Sequence, residues 1–120
     1  MSHMVTIETR VHDPAAVLAA CQRLNLPAPV EGKVGLYSGE ATGLIVKLPG
    51  WEYPIVINTL SGTIQYDNFS GIWGEEAHLN RFLQAYAVEK VKLESRKKGY
   101  TVSEHTLQDG TIKLQVIETA

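Results

Sequence analysis

The chain has 120 residues, of which 44% are hydrophobic and 20% are charged, and its formal net charge is -2 at pH 7. This length and composition are typical of one packed domain and exclude a disordered tail or a coiled coil. The nearly balanced charge excludes a general attraction to nucleic acid or to an anionic membrane.

Two further features bear on the compartment. No apolar run approaches the ~18 residues that a membrane-spanning helix needs, and the opening residues lack the basic and hydrophobic regions of a signal peptide. The only cysteine, Cys21, cannot form an internal disulfide, which favours a reducing environment. We therefore expect an intracellular domain without an anchor.

The first elements are a strand and a short helix. Apolar and polar residues alternate over roughly residues 4–11, which predicts a half-buried strand. Asp13 before Pro14 predicts an N-cap and a helix start, and residues 25–29, with two prolines, end that helix. Cys21 falls on its apolar face and is interpreted as a small core residue and not as a nucleophile.

Short β-type runs separated by glycine- and proline-containing breaks follow. They predict four strands, over roughly residues 33–38, 44–48, 55–59 and 63–66. Gly39 and Gly43 are interpreted as breaks, and Ser61-Gly62 as a tight hairpin turn. Consecutive hairpins predict antiparallel pairing.

The last third contains an aromatic and glycine-rich segment, a long helix and a hairpin. We call residues 69–74 the aromatic bridge. A helix is predicted from about residue 75 to residue 98, with Gly99 as its C-terminal cap. Strands over roughly 100–107 and 111–118 flank Asp109-Gly110, a strong hairpin signal. The turn can hold two or three residues, and this choice decides whether His105 faces Leu114 on the apolar side or faces water.

Together these elements predict an α+β fold in which two helices pack on an antiparallel sheet of about six to seven strands. Their order is βαββββαββ, which is compatible with an elaborated ferredoxin-like layout. No linker or repeat interrupts the pattern, so one domain is expected to span residues 1–120.

The long helix carries one polar residue where an apolar one is expected. Its predicted apolar arc consists of Leu79, Phe82, Leu83, Tyr86, Ala87 and Leu93. Lys90 lies in the middle of this arc, and an unpaired ammonium there would cost several kcal/mol. Two interpretations remain open. Lys90 pairs with Glu94 at the rim of the sheet, or it faces a ligand pocket lined also by Tyr86 and by His105 or Asp67.

Enzyme and cofactor signatures are missing from the sequence. The four histidines have no metal-ligand spacing, no glycine-rich phosphate loop is present, and no acid, base and nucleophile converge. We therefore expect no metal and no cofactor, and we favour a non-enzymatic role. Asp67 precedes the aromatic bridge and Trp73 lies near its end, where an exposed ring could anchor an interface or simply pack the helix start against the sheet.

Several motifs resemble one family. They are the opening Met1-Ser2-His3, the Trp73-Gly74 step, the helix motif Phe82-Leu83-x-x-Tyr86-Ala87-x-x-Lys90-Val91, and the tail motifs Gly99-Tyr100-Thr101-Val102, Asp109-Gly110-Thr111-Ile112 and Leu114-x-Val116. Together they resemble the hypothetical chloroplast open reading frame thirty-five family, a domain of unknown function in cyanobacteria, red-algal plastids and other bacteria. The resemblance implies a small protein of the bacterial cytoplasm or the plastid stroma that works beside an AAA-type ATPase.

The sequence supports three hypotheses for function. The first is an accessory or adaptor domain that binds a protein partner through an open sheet face, an edge strand or the aromatic bridge. The second is a small-molecule-binding or enzymatic pocket between the long helix and the sheet, around Lys90. The third is a homo-oligomer that forms through unpaired strand edges.

Overall fold

The computed structural model describes residues 4–118, so the Met1-Ser2-His3 motif lies outside the described residues. The elements in chain order are β1 (Val5–Glu8), α1 (Pro14–Arg23), β2 (Val30–Leu36), β3 (Gly39–Val46), β4 (Ile55–Asn58), β5 (Thr63–Tyr66), a 3-10 turn (Phe69–Gly71), α2 (Glu76–Lys97), β6 (Thr101–Thr106) and β7 (Ile112–Ile117). Neither helix is both long enough and apolar enough, within these described residues, to span a bilayer.

The strands form two antiparallel sheets. Five strands pair in the order β1-β5-β4-β3-β2, and β6 pairs only with β7 among the described strands. The predicted α+β class with two helices and seven antiparallel strands is confirmed. The strands are divided between two sheets, however, which differs from a ferredoxin-like layout.

Both helices cover one face of the five-stranded sheet. Asp13 caps α1 by accepting a hydrogen bond from the Ala15 N–H over 3.0 Å, as predicted. The core between helices and sheet includes Val17 and Cys21 from α1, Phe82 from α2 and inward-facing residues of β3, β4 and β5. Cys21 is fully buried there, and burial raises the pKa of its thiol to about 11, in agreement with a core role.

The hairpin of β6 and β7 packs on a second side of α2. The Gln84 amide donates to the Gly110 carbonyl over 3.1 Å, and the Lys92 ammonium donates to the Glu104 carboxylate over 3.4 Å. Val88 lies between Gln84 and Lys92 on the same helix face and is buried. The predicted arc included Ala87, which is exposed, and omitted Val88, because the sequence did not indicate that a hairpin would cover this side.

Strand β3 passes through Gly43, which was wrongly predicted to break it, whereas Gly39 begins the strand directly after the turn at residues 37–38. At Gly43, φ is +155°, and a Cβ atom there would lie 2.4 Å from the Ile57 carbonyl oxygen on β4. The glycine therefore permits a close approach of two strands and does not end one.

The β2–β3 hairpin also contributes apolar residues to the face of the sheet that lies away from the helices. Leu36 and Ala41 of this hairpin pack on Val56 of β4, with Tyr53 beside them, and form a small second core. Leu36, Ala41 and Val56 are all buried. Strand β4 consequently contributes to a core on each of its faces.

Two turns complete the framework. Between β4 and β5 the loop holds residues 59–62, so the predicted two-residue turn at Ser61-Gly62 is longer than expected. Gly62 has φ of +76°, and a Cβ there would lie 2.5 Å from the Thr9 carbonyl. In the final hairpin, His105 lies opposite Lys113, which is the register of a three-residue loop, and His105 is exposed.

Candidate functional site

The Lys90 ammonium is bound by two carboxylates. Its Nζ donates to Glu94 Oε1 over 2.8 Å and to Asp13 Oδ2 over 2.9 Å. The predicted Lys90–Glu94 pair is confirmed. Asp13 was not predicted as a partner, because it is 77 residues away in sequence and only the packing of α1 on α2 brings it close.

The three charges of this group affect one another's protonation. The hydrogen bond from Lys90 lowers the pKa of Asp13 and the pKa of Glu94. The hydrogen bond that Lys90 donates to Glu94, and to a smaller extent the one that it donates to Asp13, raise the pKa of Lys90. Because the carboxyl pKa values are lower in the folded state, the stability they contribute is lost as the pH falls through those folded values.

Tyr86 joins the same group through the backbone. Its hydroxyl accepts hydrogen bonds from the backbone N–H groups of His12, over 3.2 Å, and of Asp13, over 3.1 Å. The side chain is only 5% exposed. Lys90 and Tyr86 thus converge on the start of α1 and fasten it to α2.

A groove of about 280 Å³ opens beside this group, between α2 and β7. Its lining includes Lys90, Val91, Tyr100 and Val116. The Lys90 ammonium is already occupied by two carboxylates, so it presents no free cation to a ligand in this groove. The geometry therefore favours the pair interpretation of Lys90 over the pocket interpretation.

Trp73 stands at the centre of a cluster of rings on the other face of the sheet. Its ring centroid lies 4.8 Å from that of Phe69, 5.1 Å from that of Tyr37 and 5.6 Å from that of Tyr53. These distances fall in the range of favourable aromatic pairs. We call Tyr37, Tyr53, Phe69 and Trp73 the aromatic cluster. It fastens the β2–β3 turn to the aromatic bridge.

Asp67 lies next to this cluster at the end of β5. Its Oδ2 accepts a hydrogen bond from the Ser38 hydroxyl over 3.0 Å, and its Oδ1 accepts one from the Phe69 N–H over 3.3 Å. The residue is 1% exposed. Asp67 thereby connects the β2–β3 turn to the same bridge that carries Trp73.

The aromatic bridge adopts an unusual backbone conformation. Phe69 has φ of 47° and Ser70 has φ of 54°, values in the left-handed region that side chains other than glycine seldom adopt. Gly74 ends the bridge against the Trp51 ring, where a Cβ would lie 2.4 Å from Cδ2. A glycine is therefore required after Trp73 because a larger residue would collide with the Trp51 ring.

The five residues singled out from the sequence fall into three places. Lys90 and Tyr86 meet at the start of α1, Asp67 and Trp73 meet at the aromatic bridge, and His105 is exposed on the final hairpin. Tyr37 and Tyr53 were not predicted to join Trp73. Their only signal was that they are aromatic residues next to turns. Among residues 4–118, no three histidine, cysteine, aspartate or glutamate side chains group as a metal site.

Comparisons of the chain with protein families, with curated proteins and with solved structures found no match. The resemblance to the chloroplast open reading frame family stays a prediction.

Proposed function

We propose that this chain is a non-enzymatic accessory domain that binds a protein partner through the aromatic cluster and the adjoining bridge. The observation that carries the proposal is the exposure of Tyr37. This side chain packs on Trp73 with centroids 5.1 Å apart, yet it remains 63% exposed. Tyrosine and tryptophan are the residues most often enriched at the energetic centre of protein interfaces.

A second exposed apolar side chain lies in the aromatic bridge itself, one residue before Trp73. This side chain, Ile72, is 72% exposed. A cluster of aromatic and aliphatic side chains at one surface is a common mark of an interaction site, whereas single exposed apolar residues are ordinary. The binding surface that we propose therefore consists of the aromatic cluster and Ile72.

The test compares partner capture by matched variants. Ile72→Ser removes the apolar side chain of the proposed surface, and Leu60→Ser removes one that is 93% exposed in the β4–β5 turn. Both tagged variants and the wild type would be purified from the host. We expect one stoichiometric companion that is retained by wild type and Leu60→Ser and is lost from Ile72→Ser.

Binding should then be repeated with the purified companion and with Tyr37→Ala. Loss of at least roughly thirtyfold in affinity is expected, because a hot-spot side chain contributes about 2 kcal/mol or more. Equal binding by all variants would place the partner surface elsewhere and would refute the proposal.

The resemblance names the first partner and compartment to try. An AAA-type ATPase is the proposed partner, and the bacterial cytoplasm or the plastid stroma is the proposed compartment. The sequence supports the compartment through its single cysteine, which is buried in the structure.

A further inference from the structure

Asp67 is a buried carboxylate whose charge is poorly compensated. Its two hydrogen bonds come from a hydroxyl and a backbone N–H, both neutral donors. Within the described part of the chain, no lysine, arginine or histidine forms an ion pair with it. A carboxylate can accept about four hydrogen bonds, and burial of one without a cation is unfavourable. A positive charge brought to this place would be stabilised.

The surroundings of Asp67 suit a planar cation. Tyr37 precedes the Ser38 donor, the Phe69 donor belongs to the aromatic cluster, and the rings of Tyr37 and Phe69 both pack on Trp73. The faces of aromatic rings attract cations. A guanidinium group can stack on a ring and donate hydrogen bonds to a carboxylate at the same time, which an ammonium cannot do in the same way. Arginine therefore matches this combination better than lysine.

The β2–β3 turn supplies one of the two hydrogen-bond donors of this carboxylate among the described residues. Ser38, which donates to Asp67 Oδ2, lies in the turn between β2 and β3 and is exposed, as is Tyr37 before it. Displacement of Ser38 would leave Oδ2 without its hydrogen-bond donor. On the other side, Asp67 Oδ1 accepts from Phe69, which begins the left-handed run of the bridge. Strained backbone of this kind is concentrated at functional sites.

We propose that Asp67 and the rings of Tyr37 and Trp73 form a binding site for an arginine side chain of the protein partner. The guanidinium replaces the Ser38 hydroxyl at Asp67 Oδ2 and stacks on the rings. The inference rests on the proposed function, since it names the chemistry of the partner at the same surface.

The test titrates the full chain with N-acetyl-arginine amide and with N-acetyl-citrulline amide, which has nearly the same shape without the charge. The chain has two tryptophans, so its two indole N–H signals can be followed by NMR. Trp51 packs on Tyr66 and donates to the Glu75 carbonyl, and it serves as the internal control. We expect the Trp73 signal to shift with the arginine compound and binding of the citrulline compound to be at least roughly tenfold weaker.

Two charge-neutralising variants sharpen the result. Asp67→Asn keeps an acceptor for Phe69 and a partner for Ser38, and we expect it to weaken arginine binding by at least roughly tenfold. Its thermal midpoint should equal or exceed that of the wild type, because an unbalanced buried charge is removed. Asp109→Asn makes the same chemical change at an exposed position and should bind like the wild type.

Three outcomes would overturn the arginine site. They are equal binding of the two compounds, no shift of the Trp73 signal at any concentration, and unchanged binding by Asp67→Asn. A lower thermal midpoint for Asp67→Asn would indicate that the carboxylate has a structural role instead. If Asp67→Asn binds the purified companion like the wild type while Ile72→Ser does not, the arginine site fails and the proposed partner surface stands.

Discussion

Removal of a single hydroxyl group tests how α1 is fastened to α2. In the variant Tyr86→Phe, the backbone N–H groups of His12 and Asp13 lose the acceptor that they share. A buried donor that loses its partner costs about 1 kcal/mol or more, so two partly buried donors should lower the free energy of unfolding by about 1–3 kcal/mol. For a domain of this length, 1 kcal/mol corresponds to about 4 °C, so the thermal midpoint should fall by about 4–12 °C.

The measurement is thermal and urea unfolding of Tyr86→Phe beside Tyr66→Phe. The Tyr66 ring packs on Trp51, but its hydroxyl has no hydrogen-bond partner among the described residues, so this control removes the same atom without removing a contact. Its stability should change by less than about 0.5 kcal/mol. A similar, small loss in both variants would show that the Tyr86 hydroxyl does not hold the helix start.

Three further outcomes follow from the same contacts. In Lys90→Met, the free energy of unfolding should fall less steeply below about pH 4 than in the wild type, because Lys90 lowers the pKa of the Asp13 and Glu94 carboxyls in the folded state. Acid titrations followed by circular dichroism measure this, and an equal loss of stability in both proteins would contradict it. Gly62→Ala should cost at least about 1 kcal/mol more than Gly50→Ala in urea unfolding, since both positions have positive φ but only Gly62 has a carbonyl within 2.5 Å of the added Cβ. Cys21, with its pKa raised to about 11 by burial, should react with a thiol reagent only in denaturant, and rapid labelling of the folded protein would count against a core position.

Local signals in the sequence were sufficient for most of the elements. The cap at Asp13, the left-handed Gly99 after α2 and the Asp109-Gly110 turn each depend on neighbouring residues, and the structure has all three. Local patterns also predicted the Lys90–Glu94 pair, since its two residues are one helical turn apart.

Contacts between distant segments account for the errors. The meeting of Tyr37, Tyr53 and Trp73 depends on how strand pairing brings the β2–β3 turn close to the aromatic bridge, and no spacing in the sequence reports that. In the same way, the partner of Lys90 on α1 becomes visible only when the two helices are packed. The division into two sheets was missed because strand signals do not show which strands pair.

Gly43 helps to fix the register of β4 against β3. Ile55, Val56 and Ile57 are all buried, so a slip of this strand by one residue would exchange one apolar side chain for another, and polarity alone would hardly oppose it. Steric exclusion at Gly43 opposes the slipped register instead. Only a residue without a Cβ fits beside the Ile57 carbonyl, and a slipped strand would present that carbonyl to Thr42 or Leu44 instead.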